Sequence, residues 1–271
     1  MGFLKFGFVT QLVYCSLLIP IYLWTLWKSI RGQKFKLIVQ ITILLLISVF
    51  GYSLVLLSNW EQFLYDRKGH QTKLSAWIIL DNVGVTIADL TFCEAHWIFA
   101  WYYFKVALNM TNTDPGQLEE RAKALEIAYW IGVVFNAIFP ICEGLFGGVL
   151  YYYYKIYKVD KKWAGALFNC SMIGTSVVQL ITCTVYFYAL IKMKQFIEKT
   201  SRDDQFDIKT MMIHASAYGL YLASILVFSI SYVIYVFKRF GSKNDVEVYY
   251  ASSIQLILSL VSQCLLCYIF S

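Results

Sequence analysis

The chain has 271 residues, of which 59% are hydrophobic, 18% aromatic and only 15% charged. Soluble domains carry about 25% charged residues, so this composition excludes a soluble globular protein and indicates an integral membrane protein. The formal net charge of +6 comes from Lys and Arg in short connections, which suits anionic lipid surfaces, and no nucleic-acid-binding module accompanies it. We therefore expect the lipid bilayer as partner and no nucleic acid.

Seven segments are long and apolar enough to cross a bilayer, which takes about 20 mostly apolar residues. In chain order they span residues 8–27, 37–59, 76–104, 127–150, 164–191, 211–237 and 249–270. The connections between them are short and charged, and none is long enough for a soluble domain. We predict an all-α polytopic membrane protein, in which residues 1–271 form a single seven-transmembrane-helix bundle.

The orientation depends on the first span, because Lys and Arg are almost equally numerous on the two sides of the membrane. Lys5 precedes this span, whereas Lys28, Arg31, Lys34 and Lys36 follow it. Because the first span often sets the orientation, we expect an external N-terminus. The sequence specifies a multi-pass protein without specifying which membrane it occupies.

The third span carries ionisable residues at depths where charge is costly. Asp81, Asp89, Glu94 and His96 all lie in the stretch Ala76–Met110. Each acid or base at mid-helix costs about 2.5–3.5 kcal/mol, so these side chains should face protein or water rather than lipid. We therefore predict a polar third helix at the centre of the bundle.

One face of this helix carries Asn82, Asp89 and His96, which recur every seven residues and so drift by only about 20° per step. Asp81 falls at the edge of this face, near the membrane surface. Glu94 points roughly 140° away from Asp89 and needs a partner on another helix.

Other spans carry polar or small residues at helical spacing. The rows are Asn136, Pro140, Glu143 and Gly147 on the fourth span, Ser171, Thr175, Gln179 and Thr182 on the fifth, and Ser252, Gln255, Ser259 and Gln263 on the seventh. Gly144, Gly147 and Gly148 would allow a neighbouring backbone to approach closely. We expect Glu143 to lie near enough to an interface to be hydrated. The rows indicate either ordinary helix packing or a wet, hydrogen-bonded interior.

The candidate site residues are Asp81, Asp89, Glu94, His96 and Glu143, as ligand-binding or ion-relay groups. For Asp89 and His96 a purely structural buried pair is the alternative. We expect no metal site and no cofactor, because His70, His96 and His214 are scattered over a loop and two helices, with His214 interfacial. The seven Cys lie inside hydrophobic segments, so no disulfide framework is indicated, and Cys264 and Cys267 are interpreted as small core residues.

Known seven-helix families match only in part. Retinal is excluded, because the last Lys, Lys243, precedes the seventh span, where a rhodopsin needs its Schiff-base Lys. The main class of G-protein-coupled receptors ends its third span with an acid-Arg-Tyr triad, whereas this span ends in Trp101-Tyr-Tyr-Phe-Lys. The likeness to those receptors is one of topology.

A more local resemblance lies in the third span. Ala88-Asp-Leu followed by Ala95-His-Trp-Ile-Phe-Ala-Trp-Tyr-Tyr-Phe-Lys resembles the third span of uncharacterised seven-pass proteins that are abundant in ciliates. The resemblance implies a seven-pass topology and brings no activity with it.

The leading functional hypothesis is a receptor-like protein that binds a small ligand among its helices. The alternative is a structural or accessory subunit of a larger membrane assembly, because the chain stops at Ser271 directly after its last span. Partners within the membrane would be other membrane protein subunits or, in a homo-oligomer, further copies of this chain. A further alternative is ion or proton translocation, with Asp81, Asp89, Glu94 and Glu143 as relay groups. No nucleophile, metal cluster or phosphate-binding loop is visible, so we do not expect an enzyme.

Overall fold

The structure of the protein, a computed structural model, describes residues 2–32, 36–68, 74–111, 115–153, 162–200, 208–239 and 246–270. Over these ranges the chain forms seven α-helices. They are α1 (Gly2–Arg31), α2 (Lys36–Lys68), α3 (Leu74–Thr111), α4 (Pro115–Tyr152), α5 (Lys162–Thr200), α6 (Ile208–Arg239) and α7 (Val246–Phe270). Each of the seven contains a stretch long and apolar enough to cross a membrane. The predicted all-α seven-helix bundle is confirmed.

The helices extend beyond the predicted spans at nearly every end. The longest, α5, has 39 residues and measures about 58 Å at 1.5 Å per residue. This length exceeds the roughly 30 Å hydrocarbon core, so α5 projects beyond it. Hydropathy identifies the part of a helix that suits lipid, whereas backbone hydrogen bonding continues into the charged ends.

Six of the helices form a closed ring, in which α1, α2, α3, α5, α6 and α7 each pack against the next and α7 returns to α1. The remaining helix, α4, packs on the outside against α3 and α5. Trp130, Phe135 and Leu145 of α4 are exposed on the outer surface. In contrast, α3 packs against α2, α4 and α5, and its His96 reaches α6 and α7. The third helix is therefore one of the six ring helices, with His96 directed to the interior, rather than a central helix surrounded by the others.

The backbones of α2 and α3 approach each other closely at Gly51 and Gly84. A Cβ atom on Gly51 would lie 2.7 Å from both the backbone nitrogen of Ala88 and the backbone oxygen of Gly84. Ser48 Oγ donates a hydrogen bond of 2.8 Å to the backbone oxygen of Ala88 in the same interface. Small residues and hydroxyl groups are the usual means of joining membrane helices closely. This contact brings Tyr52 of α2 within reach of Asp89 of α3.

Candidate functional site: a polar cavity inside the helix ring

A cavity of about 190 Å³ lies inside the ring, and every helix except α4 contributes to its lining. Its polar lining residues include Gln11, Asp89, Gln179, Ser224, Gln255 and Ser259. Gln179, Gln255 and Ser259 belong to the rows predicted on the fifth and seventh spans. Those rows therefore converge on a common space, as the hypothesis of a polar interior predicts.

Asp89 is the acidic residue of this cavity. Its Oδ1 accepts a hydrogen bond of 2.8 Å from the Tyr52 hydroxyl. Gln11 Nε2 donates to the backbone oxygen of Tyr52 at 3.2 Å, which ties α1 to the same corner. Asp89 is only partly buried, and because it lines the cavity, part of its accessible surface faces that space.

Tyr221 lines the cavity from α6 and has an unsatisfied hydroxyl group. The side chain is 1% exposed, yet its hydroxyl has no hydrogen-bond partner among the described residues. A buried polar group without a partner costs about 1–3 kcal/mol, so such groups commonly mark a place where water or a ligand binds. The Tyr221 ring also stacks on His96, with centroids 4.1 Å apart.

His96 belongs to a fully hydrogen-bonded layer next to the cavity. Tyr22 donates from its hydroxyl to Gln263 Oε1 at 2.8 Å, so the Gln263 amide nitrogen is free to donate to His96 Nε2, at 2.9 Å. The proton of a neutral imidazole then lies on Nδ1, which donates to the Tyr218 oxygen at 3.3 Å. These bonds join α1, α7, α3 and α6. We call the four residues Tyr22, Gln263, His96 and Tyr218 the His96 layer.

His214, which we expected at the membrane interface, is enclosed by protein side chains. His214 is 3% exposed and is held between two tyrosines, with Tyr186 at Nδ1 and Tyr103 at Nε2, 3.3 Å away. Tyr186 stacks on Tyr218 with centroids 3.6 Å apart, which connects this group to the His96 layer. The hydropathy of α6 gave no sign of these partners on α3 and α5. His70 lies outside the described residues.

The expectation that Glu143 is hydrated near an interface is wrong. Glu143 is 7% exposed and accepts a hydrogen bond of 3.3 Å from Thr175 of α5. Its neighbour Gly144 has no room for a Cβ atom, because Thr86 of α3 occupies that position. The close approach predicted for this glycine is confirmed, and it buries Glu143 where α3, α4 and α5 meet, outside the lining of the cavity.

Asp81 and Glu94 are not among the residues that line the cavity. One carboxylate oxygen of Asp81 is buried and has no hydrogen-bond partner among the described residues. Glu94 is half-buried and lies one turn before Trp97, whose indole nitrogen donates to the backbone oxygen of Tyr129 on α4. Glu94 thus lies on the side of α3 that faces α4. This position agrees with the predicted angle of roughly 140° between Glu94 and Asp89.

Several residues of the cavity gave no signal in the sequence. Tyr14, Tyr52, Phe92 and Tyr221 line it, but a single aromatic residue in an apolar span looks like lipid-facing or core packing. Among the described residues, no group of three or more His, Cys, Asp or Glu is placed to hold a metal ion. All seven cysteines are free thiols, and Cys93 accepts a hydrogen bond from Gln179.

Together these features define a multi-pass integral membrane protein with a polar cavity among its helices. Comparisons with protein-family models, with curated proteins and with solved structures find no match. The function is accordingly inferred from the geometry of the cavity and its neighbours, and the resemblance to ciliate seven-pass proteins stays a prediction.

Proposed function

We propose that the protein is receptor-like and binds a small ligand in the cavity around Asp89. The observation that carries this proposal is the cavity itself, which is lined from every ring helix and has the carboxyl group of Asp89 in its wall. An engineered cavity of about 150 Å³ holds benzene, so one of about 190 Å³ suits a single ring with a short polar substituent.

The position of Tyr221 supports a receptor role rather than simple storage of a ligand. Its ring forms part of the cavity wall and also stacks on His96, which is hydrogen-bonded to α6 and α7. A ligand that moves Tyr221 would change the packing of its ring against the His96 imidazole. That imidazole holds the His96 layer together through its hydrogen bonds. Ligands shift conformational equilibria through such differences in contact between two states.

The test is binding of benzene-sized probes to the full-length protein in detergent. Benzylammonium, benzyl alcohol and benzoate would be compared by saturable binding and by the rise in thermal unfolding midpoint, since a ligand that binds only the folded state stabilises it. Ser259→Phe places a ring in the cavity and should abolish binding. Ile257→Phe is the matched control, because Ile257 lies on the same helix and is 47% exposed on the outer surface.

Saturable binding that is lost in Ser259→Phe and kept in Ile257→Phe would support the proposal. Equal binding by both variants would show that the probes bind elsewhere, and absence of saturable binding by all three probes would contradict a ligand site of this size.

Ion or proton translocation is the second candidate, and one observation favours it. Two hydrogen-bonded groups lie beyond the cavity, His96 with Tyr218 and His214 with Tyr186 and Tyr103. Ring stacking connects His96 to Tyr221 of the cavity wall, and Tyr218 to Tyr186. Chains of buried polar residues mark ion and proton pathways in other membrane proteins. The test is flux in proteoliposomes: Asp89→Asn should stop proton or cation flux while the variant keeps its thermal unfolding midpoint. Equal flux in the wild type and the variant would exclude a relay through Asp89.

The accessory-subunit alternative has no comparable observation, because the exposed side chains of α4 suit lipid as well as a partner protein. Native purification followed by mass determination tests it directly. A fixed stoichiometric partner would favour that alternative, whereas a monomer or homo-oligomer would argue against it.

A further inference from the structure

We propose that the ligand of the cavity is a small organic cation, with its ammonium group against Asp89 and its apolar body among the aromatic rings. This inference rests on the proposed function, because it assigns a chemical class to the ligand of the same site.

The lining is negative. Among the described residues that line the cavity, Asp89 is the one whose side chain is of an acidic type, and none is Lys, Arg or His. The hydroxyl of Tyr52 supplies one hydrogen bond to its carboxyl group. An ionised carboxylate away from bulk water needs a counter-charge. A cationic ligand supplies that charge, whereas an anion would add to the repulsion.

The walls around this charge are aromatic. Tyr14 and Tyr52 form an edge-to-face pair with centroids 5.7 Å apart, and Phe92 and Tyr221 form another at 5.6 Å. All four rings line the cavity. Aromatic rings attract an ammonium group, and the attraction reaches about 2 kcal/mol or more where water is excluded. The same rings offer apolar surface to the rest of the ligand.

The size of the space favours an organic cation over a bare metal ion. Hard divalent ions take six or more oxygen ligands at about 2.0–2.6 Å. The wall of this cavity of about 190 Å³ has a single carboxylate, Asp89, together with four aromatic rings, so it offers one charged oxygen ligand and a large apolar surface. The polar lining side chains Gln179, Gln255 and Ser259 provide further hydrogen-bonding groups for a polar atom of the ligand.

The experiment compares probes of nearly equal size and different charge on the full-length protein. We expect benzylammonium to bind about tenfold more tightly than benzyl alcohol, and benzoate to bind least. Asp89→Asn keeps the size of the side chain and an acceptor for Tyr52, so it should lower benzylammonium binding to the level of benzyl alcohol. Asp81→Asn removes the same group from the same helix outside the cavity and should leave the order of the probes unchanged.

The outcomes separate this inference from the proposed function. Binding of benzyl alcohol as tight as that of benzylammonium, with both lost in Ser259→Phe, would overturn the cation assignment and leave a ligand site in place. Saturable binding of none of the probes would overturn both. A rise in the thermal unfolding midpoint produced by millimolar sodium or calcium, and not by benzylammonium, would identify an inorganic ion and overturn the organic assignment. If Asp89→Asn does not fold, the probe order on the wild-type protein decides the question without it.

Discussion

Two polar regions occupy the interior of the bundle, and they differ in how completely their hydrogen bonds are made. Asp89 and His96 lie on one face of α3, about 10 Å apart along the helix axis at 1.5 Å per residue. In the His96 layer both imidazole nitrogens have partners. In the cavity, one hydrogen bond reaches Asp89, and the Tyr221 hydroxyl has no partner among the described residues.

This difference separates a structural role from a binding role more clearly than burial does. A saturated polar network holds helices in register and leaves nothing for a ligand to bind. Unsatisfied groups beside open space cost free energy until something occupies that space, so they indicate a site. Of two buried ionisable residues on one helix face, only Asp89 therefore has the surroundings of a ligand contact.

The largest expected effect comes from breaking the saturated region. His96→Leu would leave the Gln263 amide and the Tyr218 hydroxyl buried without partners, which should lower the free energy of unfolding by about 2–4 kcal/mol. The matched variant Gln255→Leu changes a cavity residue for which no hydrogen bond is found among the described residues, and we expect a change under about 1 kcal/mol. Unfolding by SDS titration measures both. Equal losses in the two variants would show that the regions do not differ.

A smaller effect is expected from separating the two helices that build the Asp89 corner. Gly51→Ala places a Cβ atom against the α3 backbone, where the available distance is 2.7 Å. Overpacking of this kind costs about 1–3 kcal/mol, and moving α2 away should also weaken the hydrogen bond between Tyr52 and Asp89.

Gly219→Ala is the control for Gly51→Ala, because a Cβ atom on Gly219 would meet nothing within 4 Å. Thermal unfolding and benzylammonium binding would be measured on both variants. An unchanged unfolding midpoint in Gly51→Ala would contradict the close contact of α2 with α3.

The smallest and sharpest comparison removes one oxygen atom from each region. Tyr218→Phe deletes a hydroxyl that contacts His96, and we expect a loss of about 1 kcal/mol. Tyr221→Phe deletes a hydroxyl without a described partner, so stability should stay equal or rise. Both rings stay buried, which makes the two variants a matched pair in SDS unfolding. A larger loss for Tyr221→Phe would show that its hydroxyl is satisfied in the protein.

The sequence placed Asp89 and His96 correctly on the interior side of α3, because helical periodicity is a local property and seven residues bring a side chain back to nearly the same direction. Asn82, the third member of that row, lies against Gly147 and Gly148 of α4. The sequence also predicted the polar rows that supply Gln179, Gln255 and Ser259. It missed the burial of Glu143 and the tyrosine partners of His214, since distance from a span end does not reveal whether a neighbouring helix covers a residue.

The number of membrane-spanning helices and the polar character of the third one follow from the sequence alone, because the bilayer sets the length of a span and penalises a charge inside it. Only the tertiary structure decided that α4 lies outside the ring, and that Asp89 faces a cavity while His96 faces Gln263. Partners such as Tyr52 and Gln263 are 37 and 167 positions away from the α3 residues they contact. Such contacts depend on how helices pack, and the packing is fixed by small residues such as Gly51 rather than by the pattern of any single helix.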